Sequence, residues 1–310
     1  MISGKKIVIT GGAGFIGSNL VDSLAGSNEV TVIDNMHTGS KNNIKKHLES
    51  GRVTLIDKDV KDIGNTGVDP DYIFHLGMYS SSPMYKEDNY KVSGIVDGAI
   101  SLFKFASKKG SKVILASSSS VYNGNEPPYK EEMQLKVTDF YTEARIYVER
   151  LAELYSRMEG LSVTAIRFFS VYGPHEESKK QYANLITQFI WAINRGEAPV
   201  IYGDGRQTRD FVYVGDIVSA LEKAAGIKGE YDVFNAGTGK SYTLNEMVSI
   251  LGREMGVEIK PEYVDKKAKN YVEHTRADIS KAERVLGFKA EYTLEKGIRN
   301  CIEYYKGMKI

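Results

Sequence analysis

The sequence predicts an α/β protein, a doubly wound parallel sheet followed by a smaller C-terminal α/β lobe. Three observations carry this expectation. The apolar, β-branched run Ile7-Val8-Ile9-Thr10 breaks into Gly11-Gly12-Ala13-Gly14 and reopens as a helix through Phe15-Ile16-Gly17. Short apolar strands then alternate with helices up to about Ser170, as strands covered by helices on both faces must. Beyond Val171-Tyr172-Gly173-Pro174 the texture changes to helices separated by glycine-rich strands and turns, such as Ile201-Tyr202-Gly203-Asp204-Gly205. Residues 1–170 are read as a dinucleotide-binding domain, to which some later segments return, and residues 171–310 as a substrate lobe laid against its ligand edge.

The first strand, turn and helix carry the strongest signal. Gly11 and Gly14 permit a tight turn and let backbone N–H groups approach an anion, and Gly17 lets the new helix pack close to the strand. A pyrophosphate there meets free amide donors and the positive end of the helix dipole. The second strand, Glu29 to Ile33, ends at Asp34, whose carboxylate is placed to accept hydrogen bonds from an adenosine ribose diol. The same carboxylate repels a 2'-phosphate, so NAD is expected rather than NADP. A glycine turn with no ligand is the plain alternative, and the coincidence of strand, helix and acid opposes it.

A helix is expected from about Asn42 to Glu49 and a third strand over Val53 to Ile56. Asp59 follows this strand, either as a ligand of the adenine amino group or as an N-cap. The fourth strand, Tyr72-Ile73-Phe74-His75-Leu76-Gly77, ends in small residues that let backbone approach the cofactor. His75 has no second histidine or acid at ligand spacing and reads as structural. An amphipathic helix runs from Val92 to Lys109. The fifth strand, Lys112 to Ala116, leads into Ser117-Ser118-Ser119-Ser120-Val121-Tyr122, which puts hydroxyls where the nicotinamide belongs; capping of the local backbone accounts for one or two of them. The helix from Asp139 to Glu159 carries Tyr141 and Arg145 one turn apart, on one face. A strand from Thr164 to Phe168 is expected to complete the sheet, and a helix is expected from Leu185 to Arg195. In the C-terminal lobe Arg209 is a natural phosphate clamp, because a guanidinium is always charged and binds oxyanions bidentately; a surface pair with Asp210 is the alternative.

Composition excludes several classes. A net charge of +1 with acids and bases interspersed argues against a nucleic-acid or anionic-membrane partner. No apolar run approaches the roughly 18 residues of a membrane span, and the first strand starts within a few residues of Met1, so a cytoplasmic protein without a signal peptide is expected. The single cysteine, Cys301, excludes an intramolecular disulfide and a cysteine-based metal cluster, and reads as a small buried residue of the last helix.

Gly11-Gly12-Ala13-Gly14-Phe15-Ile16-Gly17, Asp34-Asn35, the serine run before Val121-Tyr122, Tyr141, Arg167-Phe168-Phe169, Val171-Tyr172-Gly173-Pro174 and the Tyr202 to Asp216 segment together resemble the extended short-chain dehydrogenase/reductase family. Within it they are most similar to the nucleotide-sugar epimerases of the UDP-glucose 4-epimerase type, over nearly the whole chain. The resemblance implies a Rossmann domain holding NAD through Gly11, Gly14, Phe15, Ile16, Gly17, Asp34, Asn35, Asp59, Val60, Leu76, Gly77, Ser117, Tyr141, Arg145 and Phe168. It makes Tyr141 the catalytic base and Ser118 the hydroxyl on the sugar oxygen. It places the UDP-sugar against Ser118, Ser119, Ser170, Asn184, Leu185, Tyr202, Arg209 and Thr275. It also implies a homodimer formed through the helices over 92–109 and 141–158.

Several positions depart from that pattern. The family lysine four residues after the tyrosine is Arg145. Literal Tyr-x-x-x-Lys matches at Tyr263, Tyr292 and Tyr305 lie in the C-terminal lobe with no strand-end serine before them and are discarded. A phenol working as a base near neutral pH needs roughly 4 kcal/mol of differential stabilisation of its anion. One cation about 4 Å away supplies that order at an effective dielectric near 20, so Arg145 suffices electrostatically, though it cannot shed a proton. Ser170 and Lys91 replace family asparagines, and the family's Arg-Pro-Gly-Asp phosphate clamp is missing, with Lys266, Lys267 and Lys269 roughly where its charge would be. Thr275, small at a position that gates the sugar pocket in the family, implies room for an N-acetyl group. The expected reaction is epimerisation of a UDP-hexose at C4, UDP-glucose and UDP-GlcNAc included. UDP-glucuronate epimerisation, 4,6-dehydration and a non-catalytic dinucleotide sensor are the alternatives.

Overall fold

The computed structural model describes residues 2–265 and 271–308; Lys266, Lys267 and Lys269 lie outside the described residues. Its centre is a parallel sheet built from β1 (Lys6–Thr10), β2 (Glu29–Asp34), β3 (Val53–Asp57), β4 (Tyr72–His75), β5 (Lys112–Ser118) and β6 (Val163–Phe168). A seventh strand, Tyr231–Ala236, pairs with β6 from outside. The order is Tyr231–Ala236, β6, β5, β4, β1, β2, β3, every neighbour parallel. The expectation that the strand from Thr164 to Phe168 completes the sheet is therefore corrected; that strand is Val163–Phe168 and is not the edge. The added strand comes from the C-terminal part of the chain, and pairing satisfies the backbone edge that β6 would otherwise leave open.

Strand alternation fills both faces. Ile7, Ile9, Val30, Val32, Phe74, Ile114, Ile166 and Phe234 pack with Leu20, Val21, Val218 and Leu221 of the helices Phe15–Leu24 and Val214–Ala225. Val8, Ile33, Ile73, Val113, Leu115 and Val163 pack on the opposite face with Ile95, Leu102 and Phe103 of the helix Lys91–Lys109 and Val148 and Ala152 of the helix Phe140–Glu159. A third cluster, including Ile186, Trp191, Phe211, Met247, Leu251, Ile298 and Tyr305, forms the C-terminal lobe. Among the described residues no helix is long and apolar enough to cross a membrane.

Local departures from the expected elements have local causes. The segment expected as one helix over 42–49 divides into a 3-10 turn, Lys41–Ile44, and a short helix, Lys45–Glu49, with Ser40 capping the turn through Asn42 N–H. β4 stops at His75 rather than Gly77 because Gly77 is drawn under the first glycine turn. A Cβ on Gly11 (φ 68°) would sit 2.7 Å from the Gly77 Cα. Asp139 accepts the Thr142 N–H and starts the helix one residue later than expected.

Candidate active site

Strand order reverses between β1 and β4, and in such sheets a crevice opens at the carboxyl ends of the strands. A cavity of about 680 Å³ occupies this edge and is lined by residues from both halves of the chain. Its dinucleotide end is made largely of backbone. No side chain caps the helix that starts at Phe15, so its first N–H groups are not taken by a local cap. A Cβ on Gly17 would lie 2.1 Å from the Gly11 carbonyl oxygen, which leaves glycine as the only residue that lets helix and strand approach so closely. Asp34 closes the far wall. Its Oδ2 accepts from Ala13 N–H at 3.0 Å and its Oδ1 from Met36 N–H at 2.9 Å, which fixes the carboxylate at the end of β2. Burial raises its pKa, and those two N–H groups oppose the rise.

His75 shapes the floor beneath this turn. Thr10 Oγ1 accepts from Gly77 N–H at 3.1 Å and is 2.8 Å from His75 Nδ1, so one hydroxyl ties β1, β4 and the Gly77 turn together. Burial, with Arg145 adding to it, pushes the His75 pKa down to about 3. The imidazole is neutral and structural, as its lone position in the sequence implied.

The middle of the cavity carries the candidate reacting groups. Ser117, Ser118, Ser119, Tyr141 and Arg145 all line it. Ser118 Oγ accepts from Ser120 N–H at 3.2 Å, so one serine of the run does cap its own backbone. Arg145 is buried. Its Nη2 donates to the Tyr79 carbonyl at 2.7 Å, and its Nη1 donates to Met78 Sδ at 3.2 Å and to the Ala116 carbonyl at 3.3 Å. Its guanidinium carbon lies 5.3 Å from the Tyr141 ring centroid. The Arg145 Nε–H is buried without a protein partner, a donor left over for a ribose hydroxyl. Glycine cradle, ribose acceptor and spare donor together fit a dinucleotide.

The other end is built from side chains of the C-terminal half. Arg209 lines the cavity and donates from Nη1 to the Thr208 and Glu273 carbonyls, with Tyr271 5.4 Å away beneath its guanidinium. Burial lowers its pKa, while Tyr271, Glu273 and Tyr129 act in the opposite direction. The alternative of a surface pair with Asp210 is corrected. Asp210 is fully buried and accepts from Thr238 N–H, Thr238 Oγ1, Gly239 N–H and Ala277 N–H, a set of local donors that leaves it no role as a partner on the surface. The Asp210 N–H donates to Thr275 Oγ1 at 3.1 Å, which holds Thr275 at the cavity wall.

Of the expected cofactor residues, Gly11, Gly14, Phe15, Ile16, Gly17, Asp34, Asn35, Asp59, Val60, Leu76, Gly77, Ser117 and Phe168 line this one cavity, as do Ser119, Ser170, Arg209 and Thr275 of the substrate set. Asp59 fills both of its readings in part. It caps the turn Val60–Asn65 through Lys61 N–H, accepts from Asn35 Nδ2, and lines the wall. Asn184, Leu185 and Tyr202 are not in the lining. Asn184 Oδ1 caps the helix Leu185–Asn194 by accepting Ile186 N–H, and Tyr202 is exposed. Tyr79, Lys179 and Tyr271 also line the cavity without having been singled out. Tyr79 follows Gly77, the small residue just past the end of β4, a usable signal, whereas nothing in the sequence joins Tyr271 to Arg209.

Comparison with known proteins gives the family. Residues 7–237 match the model of the NAD dependent epimerase/dehydratase family. A putative UDP-glucose 4-epimerase of Methanocaldococcus jannaschii is 34% identical over 97% of this chain and 98% of its own. A UDP-glucuronic acid decarboxylase 1 of Danio rerio is 31% identical over 97% of this chain and 72% of its own. The crystallised UDP-N-acetylglucosamine 4-epimerase of Methanobrevibacter ruminantium M1, in complex with UDP-N-acetylmuramic acid, superposes with a TM-score of 0.93 at 34% identity. That match covers 98% of this chain and 99% of the other.

Proposed function

This chain belongs to the NAD-dependent epimerase/dehydratase family, and from that premise we propose that it is a UDP-hexose 4-epimerase that takes UDP-glucose/UDP-galactose and the corresponding N-acetylhexosamines. The observation that carries the reading is that Ser118, Tyr141 and Arg145 line the same cavity as the glycine turn at one end and Arg209 with Thr275 at the other. The cofactor, when bound, supplies a hydride acceptor and donor for sugar C4. Tyr141 Oη takes the O4 proton as C4 is oxidised and returns it when C4 is reduced on its other face. Ser118 Oγ holds O4 through both steps. Arg145 puts a permanent positive charge beside a base that is anionic when it accepts the proton. Arg209 holds the diphosphate while the 4-keto sugar turns about that tether, and no net redox change follows.

The sugar's identity rests on two side chains. Thr275 is small and fixed by the Asp210 N–H, which favours room for an N-acetyl group. Arg167 is bound bidentately to Glu149, so its charge is not available to a uronate carboxylate. By the family resemblance, 4,6-dehydration calls for an acid pair directly after the Ser118 position, where this chain has Ser119 and Ser120. A cytoplasmic homodimer is part of the reading. Phe140, Tyr147, Leu154 and Met158 are exposed along one face of the helix Phe140–Glu159, an apolar stripe suited to a second copy.

Product NMR on UDP-glucose, UDP-GlcNAc and UDP-glucuronate tests the proposal. The first two are expected to yield their C4 epimers with the cofactor retained. Loss of the C6 hydroxyl, release of carbon dioxide from the uronate, or tight NAD binding with no turnover overturns it. Light scattering reads the oligomer.

A further inference from the structure

Behind the serine run lies a buried polar network that the reaction above does not use. Glu149 and Arg167 are each 4% exposed and form a two-pronged pair, Arg167 Nε to Glu149 Oε1 at 3.0 Å and Nη2 to Oε2 at 2.6 Å. Glu149 Oε1 also accepts the Ser117 Oγ–H. The remaining Arg167 Nη1 donates to Tyr122 Oη at 2.7 Å and to the Glu131 carbonyl at 3.1 Å. Tyr122 Oη in turn donates to Asn235 Oδ1 at 2.7 Å. One ion pair thus grips Ser117, immediately before Ser118, and Tyr122, which ends the short turn Ser119–Tyr122. Glu149 stands on the helix of Tyr141 and Arg145, at successive four-residue steps along one face.

A buried ion pair is a weak device for stability, because desolvation offsets the attraction and apolar replacements often serve as well. Its distinctive property is geometry, since two parallel charge-assisted bonds fix the orientation of both partners. We infer that Glu149, locked by Arg167, is a positioning residue that holds the carboxyl end of β5 against the helix Phe140–Glu159 and so sets where Ser118 meets Tyr141. The inference rests on the reading of those two residues as the reacting pair.

The test follows reduction of bound cofactor on adding UDP-GlcNAc to the full chain, together with kcat, KM and Tm. Glu149→Gln is expected to lower kcat by about 10- to 100-fold while KM changes little, the size that a misplacement near 1 Å produces. Ser117→Ala, which leaves the ion pair intact, is expected to lower kcat severalfold with Tm unchanged. The double change Glu149→Met, Arg167→Met replaces the pair by apolar groups and is expected to regain the Tm that Glu149→Gln loses while kcat stays low. Wild-type kcat per cofactor-loaded site in both Glu149→Gln and Ser117→Ala, or recovery of kcat with Tm in the double variant, overturns the inference alone. Absence of both cofactor reduction and C4-epimerised product in the wild-type protein overturns both it and the proposed function.

Discussion

At its dinucleotide end the cavity is made of main chain from one continuous strand, turn and helix, Lys6 to Leu24, closed by Asp34 one strand later. At the end proposed to hold the sugar it is made of side chains from separate segments: Ser118 at the end of β5, Tyr141 on a helix, Arg209 in a short strand and Thr275 in a loop. The first end depends on the absence of Cβ atoms and on helix geometry, the second on rotamers held by neighbours such as Asp210 and Glu149. The difference separates what is set locally, the glycine turn and the helix it opens, from what is set by assembly, the side-chain wall proposed to hold the sugar.

Substitutions can break this contrast or sharpen it. Tyr141→Phe removes the proposed proton acceptor alone, and turnover is expected to fall about 10²- to 10⁴-fold with cofactor binding retained. Parallel loss of bound NAD in that variant, measured by absorbance after gel filtration, would mean that the two ends are not separable. Thr275→Tyr narrows the side-chain end. It is expected to lower kcat/KM for UDP-GlcNAc about 10- to 200-fold relative to UDP-glucose, and equal losses on both sugars count against the gate. Gly17→Ala acts at the backbone end, where its Cβ would meet the Gly11 carbonyl at 2.1 Å. Overpacking of this kind costs about 1–3 kcal/mol, so weaker NAD binding and a lower Tm are expected, with sugar preference unchanged.

The smallest effect is a pH dependence beneath the glycine turn. The unfolded His75 imidazole takes a proton below about 6.5, whereas the buried one refuses it until about 3. Stability is therefore lost as pH falls from 6.5 toward 3, by roughly 1 kcal/mol between pH 7.5 and 5.5. Urea unfolding at those two pH values measures it, and His75→Asn is expected to flatten the difference.

Legibility followed the same division. The seven-strand sheet was readable through β6 because apolar runs and glycine punctuation are local signals. Tyr231–Ala236 was not readable as a sheet member, since its partner in β6 lies far back in the chain and only the fold brings them together. Arg145 was visible as a change in a motif. Its engagement by the Tyr79 and Ala116 carbonyls was not, because backbone oxygens carry no sequence signature. Asn184 shows the converse, a motif match whose Oδ1 caps a helix outside the cavity lining.

The sequence by itself determined the glycine turn, the acid at the end of β2 and the Tyr141–Arg145 face of one helix. Each is fixed within a few residues, by the lack of a Cβ, by strand length or by helical repeat. Tertiary structure alone decided that Arg209, Tyr271 and Thr275 share a wall with the serine run, and that Asp210 and Arg167 are buried struts rather than ligands. Burial converts a charged side chain from a binding group into a structural one by demanding that its hydrogen bonds be met inside the protein, and which side chains are buried is a property of the assembled fold.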